Sequence, residues 1–445
     1  MKELPSYRHI FNLSFPIMLG SAAQNLIALT DSLFLYHFSD VDFAAIGLVS
    51  VFYLTINAIG FGFSKGGQIM MARRFGEKNF LLLGKTFRML FFFELLLAAG
   101  MFLFLWYGTP WLFKLLIQSN EVYDRCLDYL VHRSWGVFFA YAGLCMMALY
   151  MGISRSKFII VNTVVLAIVN IFLDYVLIFG HWGFPEWGIK GAGLASSSSE
   201  AVAVLLFLAY ALYDKKLRPM QLWNWGRVKL NLLQSIFRIA SPIVIQYAVG
   251  VGSWFVFFLL IEKMGEEPLA ITNLGRIIYL GLSIPCWGFA SGVNTLVSNA
   301  IGQGHPKLVL PIIRRTAWFT FLFTVLLALP VIILPQYVLY PLFGREDMAL
   351  FVAAQPVFYV ILLILMTFSI ASIYFNGLSG TGATLFALKM QSSTAVVYVG
   401  ILFFAILILD VSLPWAWAIE IFYWVLIFLL SFYYLRTEKW KDVVF

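Results

Sequence analysis

Asp31, Asn170, Asp174 and Ser196 are the residues whose types and positions could do chemistry in this chain. Asp31 lies deep in the first apolar segment, and Asn170 and Asp174 lie four residues apart in a long apolar run that starts near Phe158. On a helix that spacing stacks the two side chains on one face. A carboxyl group in the middle of a hydrocarbon-length helix is expensive and faces a polar interior rather than lipid. Oxygen-only ligands of this kind suit a hard cation or a proton. Ser196 belongs to the small-residue stretch Gly191-Ala192-Gly193-Leu194-Ala195-Ser196-Ser197-Ser198-Ser199-Glu200, from which it could offer an oxygen near Asp174. The competing reading is that these groups are hydrogen-bonding glue between closely packed helices.

The elements that must position them are membrane helices. The chain has 445 residues, 62% hydrophobic and only 12% charged, with a mean hydropathy of +0.88. Soluble domains carry about 25% charge, so the class is an all-α polytopic membrane protein with no room for a soluble domain. In this context the net charge of +8 points to cytoplasmic loops and anionic lipid rather than to nucleic acid. Cys126, Cys145 and Cys286 are scattered and show neither metal spacing nor a disulfide framework. The five histidines fall at helix ends or loops and form no ligand pair. The first apolar segment is too long for a signal-peptide core and is read as a retained helix.

Runs long enough to span a bilayer occur at roughly 11–38, 44–71, 86–107, 126–152, 158–180 and 190–213, and again at roughly 232–261, 268–298, 312–334, 351–378, 385–409 and 414–435. The count is about twelve helices. The loops on the side of the N-terminus carry about twenty Lys and Arg and the alternate loops, whose charges include Asp40, Asp42, Lys190, Arg345, Glu346 and Asp347, about four. That asymmetry makes both termini cytoplasmic.

The longest connection on the basic side, Asp214 to Asn231, divides the chain near its midpoint, and the halves match across it. Pro16 pairs with Pro242, Ala44 with Ala270, Gly62-Phe63 with Gly288-Phe289, Gly76 with Gly302 and Arg88 with Arg314, all at an offset of 226 residues. Gly152 then matches Gly377 after a slip of one residue. A constant offset across several helices indicates parallel six-helix repeats. The expected organisation is a lobe of residues 1–213, a cytoplasmic linker of 214–231 and a lobe of 232–445, with a midplane cavity between the lobes. The same offset carries Asp31 onto Phe257, and the slipped offset carries Asn170 onto Ala395 and Asp174 onto Val399. The polar cluster is therefore confined to the first half. Glu200 and Glu420 occupy similar places in the sixth and twelfth spans, which favours a structural duty for both. Glu94 lies near mid-helix without an evident partner, Lys65 can snorkel from a helix end, and Arg276 is a candidate cavity residue.

The order and spacing of several short motifs resemble the multidrug and toxic compound extrusion (MATE) transporters over nearly the whole chain. The motifs are Ser14-Phe15-Pro16, Thr30-Asp31-Ser32, Ala44-Ala45-Ile46-Gly47-Leu48, Phe75-Gly76, Ile301-Gly302, and Leu173-Asp174 followed by Ile178-Phe179-Gly180. The resemblance implies a secondary active antiporter that exports amphipathic, cationic or aromatic compounds by alternating access, driven by H+ or Na+. It implies no enzyme activity, no cofactor beyond the coupling ion, no nucleic-acid partner, contact with membrane lipid, a monomer, and a place in the cell inner membrane. It assigns cation coupling to Asp31, Asn170, Asp174 and Ser196. Gln24, Tyr129 and Glu200 form the supporting network, and Pro16 resembles the proline at which the first helix bends. Second-half acids used by some members are replaced here by Gly250 and Ser369.

The alternative within transport is a flippase for lipid-linked oligosaccharide or another lipid-linked precursor. It would place several cations in the cavity, and this chain offers Arg276 and Arg133. An intramembrane enzyme would need a metal or phosphate motif, and none is visible. Substrate and coupling ion are expected to compete through the charge state of the acid pair. The expected topology has a direct check. Cysteines introduced singly at Met220 or Trp440 should resist membrane-impermeant thiol reagents in intact cells, and labelling of either from outside would contradict it.

Overall fold

The computed structural model describes residues 4–224, 226, 229–333 and 348–442. Arg227 of the central connection and the outer-loop charges Arg345, Glu346 and Asp347 lie outside the described residues. The chain is helical throughout, and no strand occurs among the described residues. The first half contains α1 (Tyr7–Phe38), α2 (Asp40–Gly76), α3 (Phe80–Leu103), α4 (Thr109–Leu116), α5 (Asn120–Arg133), α6 (Gly136–Gly152), α7 (Lys157–Phe179) and α8 (Ile189–Tyr213). The second contains α9 (Leu230–Glu262), α10 (Glu266–Gly302), α11 (Val309–Ile333), α12 (Met348–Gly380), α13 (Thr384–Leu407) and α14 (Leu413–Arg436). Eleven stretches are long and apolar enough to cross a membrane, and α5 with α6 make a twelfth, bent by 52°. The twelve expected spans are therefore all present among the described residues. The fourth is broken at Ser134–Trp135, and the third runs on through a π-helical turn at Phe104–Gly108 into α4.

Two compact units result. One is Leu19–Val244, and the other joins residues 1–18 to Ile245–Phe445. The cuts fall inside α1 and α9, not in the 214–231 connection, so the units differ from lobes drawn at 1–213 and 232–445. Met18 and Val244, the last residues before each cut, are themselves 226 positions apart. Close helix approach explains the cuts. Within the first unit, Gly62 and Gly66 of α2 receive α9: a Cβ on Gly62 would meet Val244 Cγ2 at 2.7 Å, and one on Gly66 would meet Ala240 Cβ at 2.5 Å. Within the second unit, the repeat-related Gly288 and Gly292 of α10 receive Met18 and Ser14 of α1. Small residues let the backbones meet, and van der Waals packing then holds the helices together where lipid supplies no hydrophobic drive.

The central connection is bound to the first unit. Its 3-10 turn, Lys215–Met220, buries Leu217 and Met220. Arg88 donates to the Gln221 carbonyl, and Asp214 pairs with Arg155.

Gly66→Val and its repeat partner Gly292→Val should each lower stability by about 1–3 kcal/mol, the usual cost of overpacking. Thermal unfolding in detergent measures this. A larger loss is expected at Gly66, where the added side chain meets the Ala240 Cβ and backbone, than at Gly292, where the nearest atom is the movable Ser14 Oγ.

Candidate functional site

The hairpin of α7 and α8 sets the site. Helix α7 stops at Phe179 because Gly180 adopts φ +70°, a conformation that a β-carbon penalises. The returning chain is pinned by Trp187 N–H to the Leu177 carbonyl (3.0 Å) and Gly188 N–H to the Ile178 carbonyl (3.3 Å). Gly191 then lets α8 lie against the α7 backbone, where a Cβ would meet the Leu177 carbonyl oxygen at 2.6 Å. Gly193 does the same against Tyr129 of α5, whose carbonyl oxygen lies 2.7 Å from the ideal Cβ position. Three helices are thereby brought close enough for short polar side chains to meet.

Asp31 of α1, Asn170 and Asp174 of α7, and Ser196 of α8 come together inside the first unit, all buried. Ser196 Oγ donates to Asp31 Oδ2 (3.4 Å), and Asn170 Nδ2 donates to Ser196 Oγ (3.4 Å). The Asp31 and Asp174 carboxyl groups contact each other side chain to side chain. Neither Asp174 oxygen receives a bond from a hydroxyl, amide or guanidinium, and Asp31 Oδ1 and Asn170 Oδ1 are likewise buried without a donor. Two ionised carboxylates about 4 Å apart repel by about 4 kcal/mol at an effective dielectric near 20. The contact is therefore compatible with a shared proton or a bound cation, and not with two bare charges.

Tyr129 is buried beside this pair, within electrostatic reach of Asp31, Asp174 and Glu200. Gln24 is not in the network: its side chain is exposed and makes no hydrogen bond to the four. Glu200 is held away from the acids in a bidentate ion pair, with Arg133 Nη1 to Oε2 at 2.7 Å and Nη2 to Oε1 at 2.5 Å. The Arg133 guanidinium also lies over the Tyr53 ring at 4.0 Å. Pro16 is buried within an α1 that stays helical across it. Of the neighbouring serines, Ser197 bonds the His132 and Gly193 carbonyls and Ser199 the Ser196 carbonyl. They are glue, and Ser196 alone of the run reaches the acids.

Four placements were not visible in the sequence. Arg133 looked like a cavity cation available to an anionic lipid, but Glu200 consumes its charge. Arg276 is exposed with its guanidinium 5.4 Å from the Phe258 ring. Asp42, read as an outer-loop acid, is buried; it pairs with Arg125 at 3.2 Å and accepts the Ile189 N–H at 3.0 Å, capping α8. Glu94 finds Ser64, whose Oγ donates to Oε1 at 2.7 Å.

A family model described as MatE matches residues 16–176 and 242–406. The two matched segments begin at Pro16 and Pro242, which is the repeat offset itself. The chain belongs to the MatE family, a family of membrane transporters and not of enzymes. Among relatives, it is 26% identical over 393 residues to the probable multidrug resistance protein NorM of Thermotoga maritima, covering 86% of this chain and 82% of that protein. It is 27% identical over 300 residues to the probable NorM of Rhizobium meliloti, covering 67% of this chain and 64% of that one. A crystal structure of MATE in complex with MaD3S has the same fold, with a TM-score of 0.87 at 19% identity, covering 97% of this chain and 96% of that one.

Because breaking a buried ion pair strands a charge, Glu200→Ala should destabilise the protein by about 3–5 kcal/mol. Glu200→Ala with Arg133→Met should recover most of that loss. Thermal melts of the single and double variants in detergent check both.

Proposed function

We propose that this protein is a cation-coupled multidrug exporter of the cell inner membrane, an antiporter for amphipathic, cationic or aromatic compounds driven by H+ or Na+. The observation that carries this reading is the Asp31–Asp174 contact, closed in by Ser196 and Asn170 and buried in the first unit. Its relatives' names and its family membership support the same class of transport. The family's flippase relatives need free cations for pyrophosphate, and Arg133 is neutralised by Glu200, so the exporter is the better reading.

The cycle follows from charge. A proton or Na+ arriving from outside neutralises the acid pair. Pro16 leaves α1 one backbone hydrogen bond short, so bending is cheapest there. The two six-helix lobes exchange access to the two sides of the membrane as α1 changes shape. Coupling requires that drug and cation prefer different states, since a ligand with equal affinity for both shifts nothing. Each then weakens the other by the same factor.

Everted vesicles with the Na+ and proton gradients imposed separately test this. Asp31→Asn and Asp174→Asn should each abolish gradient-driven ethidium export while the protein still inserts. In detergent, wild-type ethidium affinity should fall with acid or with Na+, and Asp174→Asn should lose that dependence. Full export by either variant would overturn the assignment.

A further inference from the structure

Each half sets a glutamate near a repeat-related tyrosine, Tyr53 or Tyr279, and neutralises it differently. In the first half, Tyr53, Arg133 and Glu200 form one assembly, with the Glu200 charge met by the guanidinium. The 226-residue offset carries Tyr53 onto Tyr279; Glu420 lies in the last span 220 positions after Glu200, six short of that offset, and is reached by the repeat-related tyrosine. Arg133 has no counterpart: the offset, with or without its slip, lands on Phe358 or Tyr359.

The surroundings of Glu420 are uncharged. Its Oε1 accepts from Tyr279 Oη of α10 (3.2 Å) and from Trp424 Nε1 of α14 (3.1 Å). The Trp254 side chain of α9 faces the same carboxyl group. Phe368 of α12 packs on both Tyr279 and Trp424, and Tyr398 of α13 packs on Tyr423 of α14. The titratable groups around Glu420 are thus tyrosines, and no ion pair to it exists among the described residues. Glu420 is 4% exposed, and its Oε2 is buried without a partner, as is the Tyr398 hydroxyl. A bare carboxylate in such a place is prohibitively costly. A hard cation would need about six oxygens, and this wall offers only one carboxyl group and tyrosine hydroxyls. A proton needs no coordination shell.

We propose that Glu420 is a second proton-carrying carboxyl, housed in the second unit and separate from the Asp31–Asp174 pair. It takes from solution the positive charge that Arg133 supplies permanently to Glu200. This inference does not rest on the assignment of the first-unit acids. It also breaks the expectation that ion-handling groups are confined to the first half.

The test is infrared difference spectroscopy of the full-length protein in liposomes, exchanged between acidic and alkaline buffer. The spectra report the carbonyl stretch of carboxyl groups that lose a proton. In the Asp31→Asn/Asp174→Asn/Glu94→Gln background, which also removes the buried carboxyl held by Ser64, a high-frequency band from a titrating carboxyl out of water should persist, and adding Glu420→Gln should remove it. Glutamine preserves the acceptor for Tyr279 and Trp424, so a structural hydrogen-bonding role predicts an unchanged spectrum. If the glutamine variant does not fold, Glu420→Asp should shift the band instead of removing it. A spectrum that neither substitution at 420 alters overturns the proposal, whatever the first-unit variants do to export.

Discussion

The constraint on which this structure turns is that an acid removed from water among apolar helices has to be neutralised. The chain does this in several ways. Glu200 is met by Arg133, Asp42 by Arg125 and the start of α8, and Asp214 by Arg155. These three are permanently neutralised and fasten helices or connections together. Asp31 and Asp174 are met by each other, and Glu94 and Glu420 by neutral donors alone. A fixed counter-charge makes an acid part of the frame. An acid without one depends on something that comes and goes, and that dependence is what a coupled transporter needs.

The fixed pairs also build the geometry in which the variable acids meet. Arg133 ends α5 immediately before the 52° break, and Gly136 begins α6 immediately after it. A Cβ on Gly136 would strike the Arg133 guanidinium and lie 2.8 Å from Ser197 Oγ. The bend, the ion pair and the close approach of α8 are thus one arrangement. It holds Tyr129 and Ser196 at the level of Asp31 and Asp174. Breaking the pair would loosen the bend and with it the distances across the acid cluster.

Much of this was legible in the sequence because hydrocarbon makes charge conspicuous. Asp31 and Asp174 stand out in apolar runs, and the spacing of Asn170 and Asp174 fixes their common face. The repeat was readable because Gly62, Gly288 and their neighbours must stay small wherever helices touch. What stayed hidden depends on neighbours. Gln24 lies two turns from Asp31 on the same face, yet one is exposed and the other buried. Periodicity assigns a face but not what packs against it at each level. Arg133 read as a cavity cation because its partner lies 67 residues away. Asp42 read as a loop acid because α2 starts two residues before it, a boundary that apolar runs place poorly. The cuts at Met18 and Val244 were hidden too, because a linker rich in charge looks like a boundary even when it is bound to one unit.

The number of oxygens within reach separates the two kinds of acid further. Asp31, Asp174, Asn170 and Ser196 together present six side-chain oxygens, several of them buried with no donor of their own. That is enough to replace much of a hard cation's hydration shell, so on our reading the first-unit cluster accommodates either Na+ or a proton. The wall around Glu420 presents hydroxyls and indole N–H groups, and N–H groups repel a metal ion. A protein with one site of each kind would answer to pH at both and to Na+ at only one. Proton and sodium gradients would then be unequal drivers, not because of where the ions enter but because of how many oxygens each acid keeps beside it.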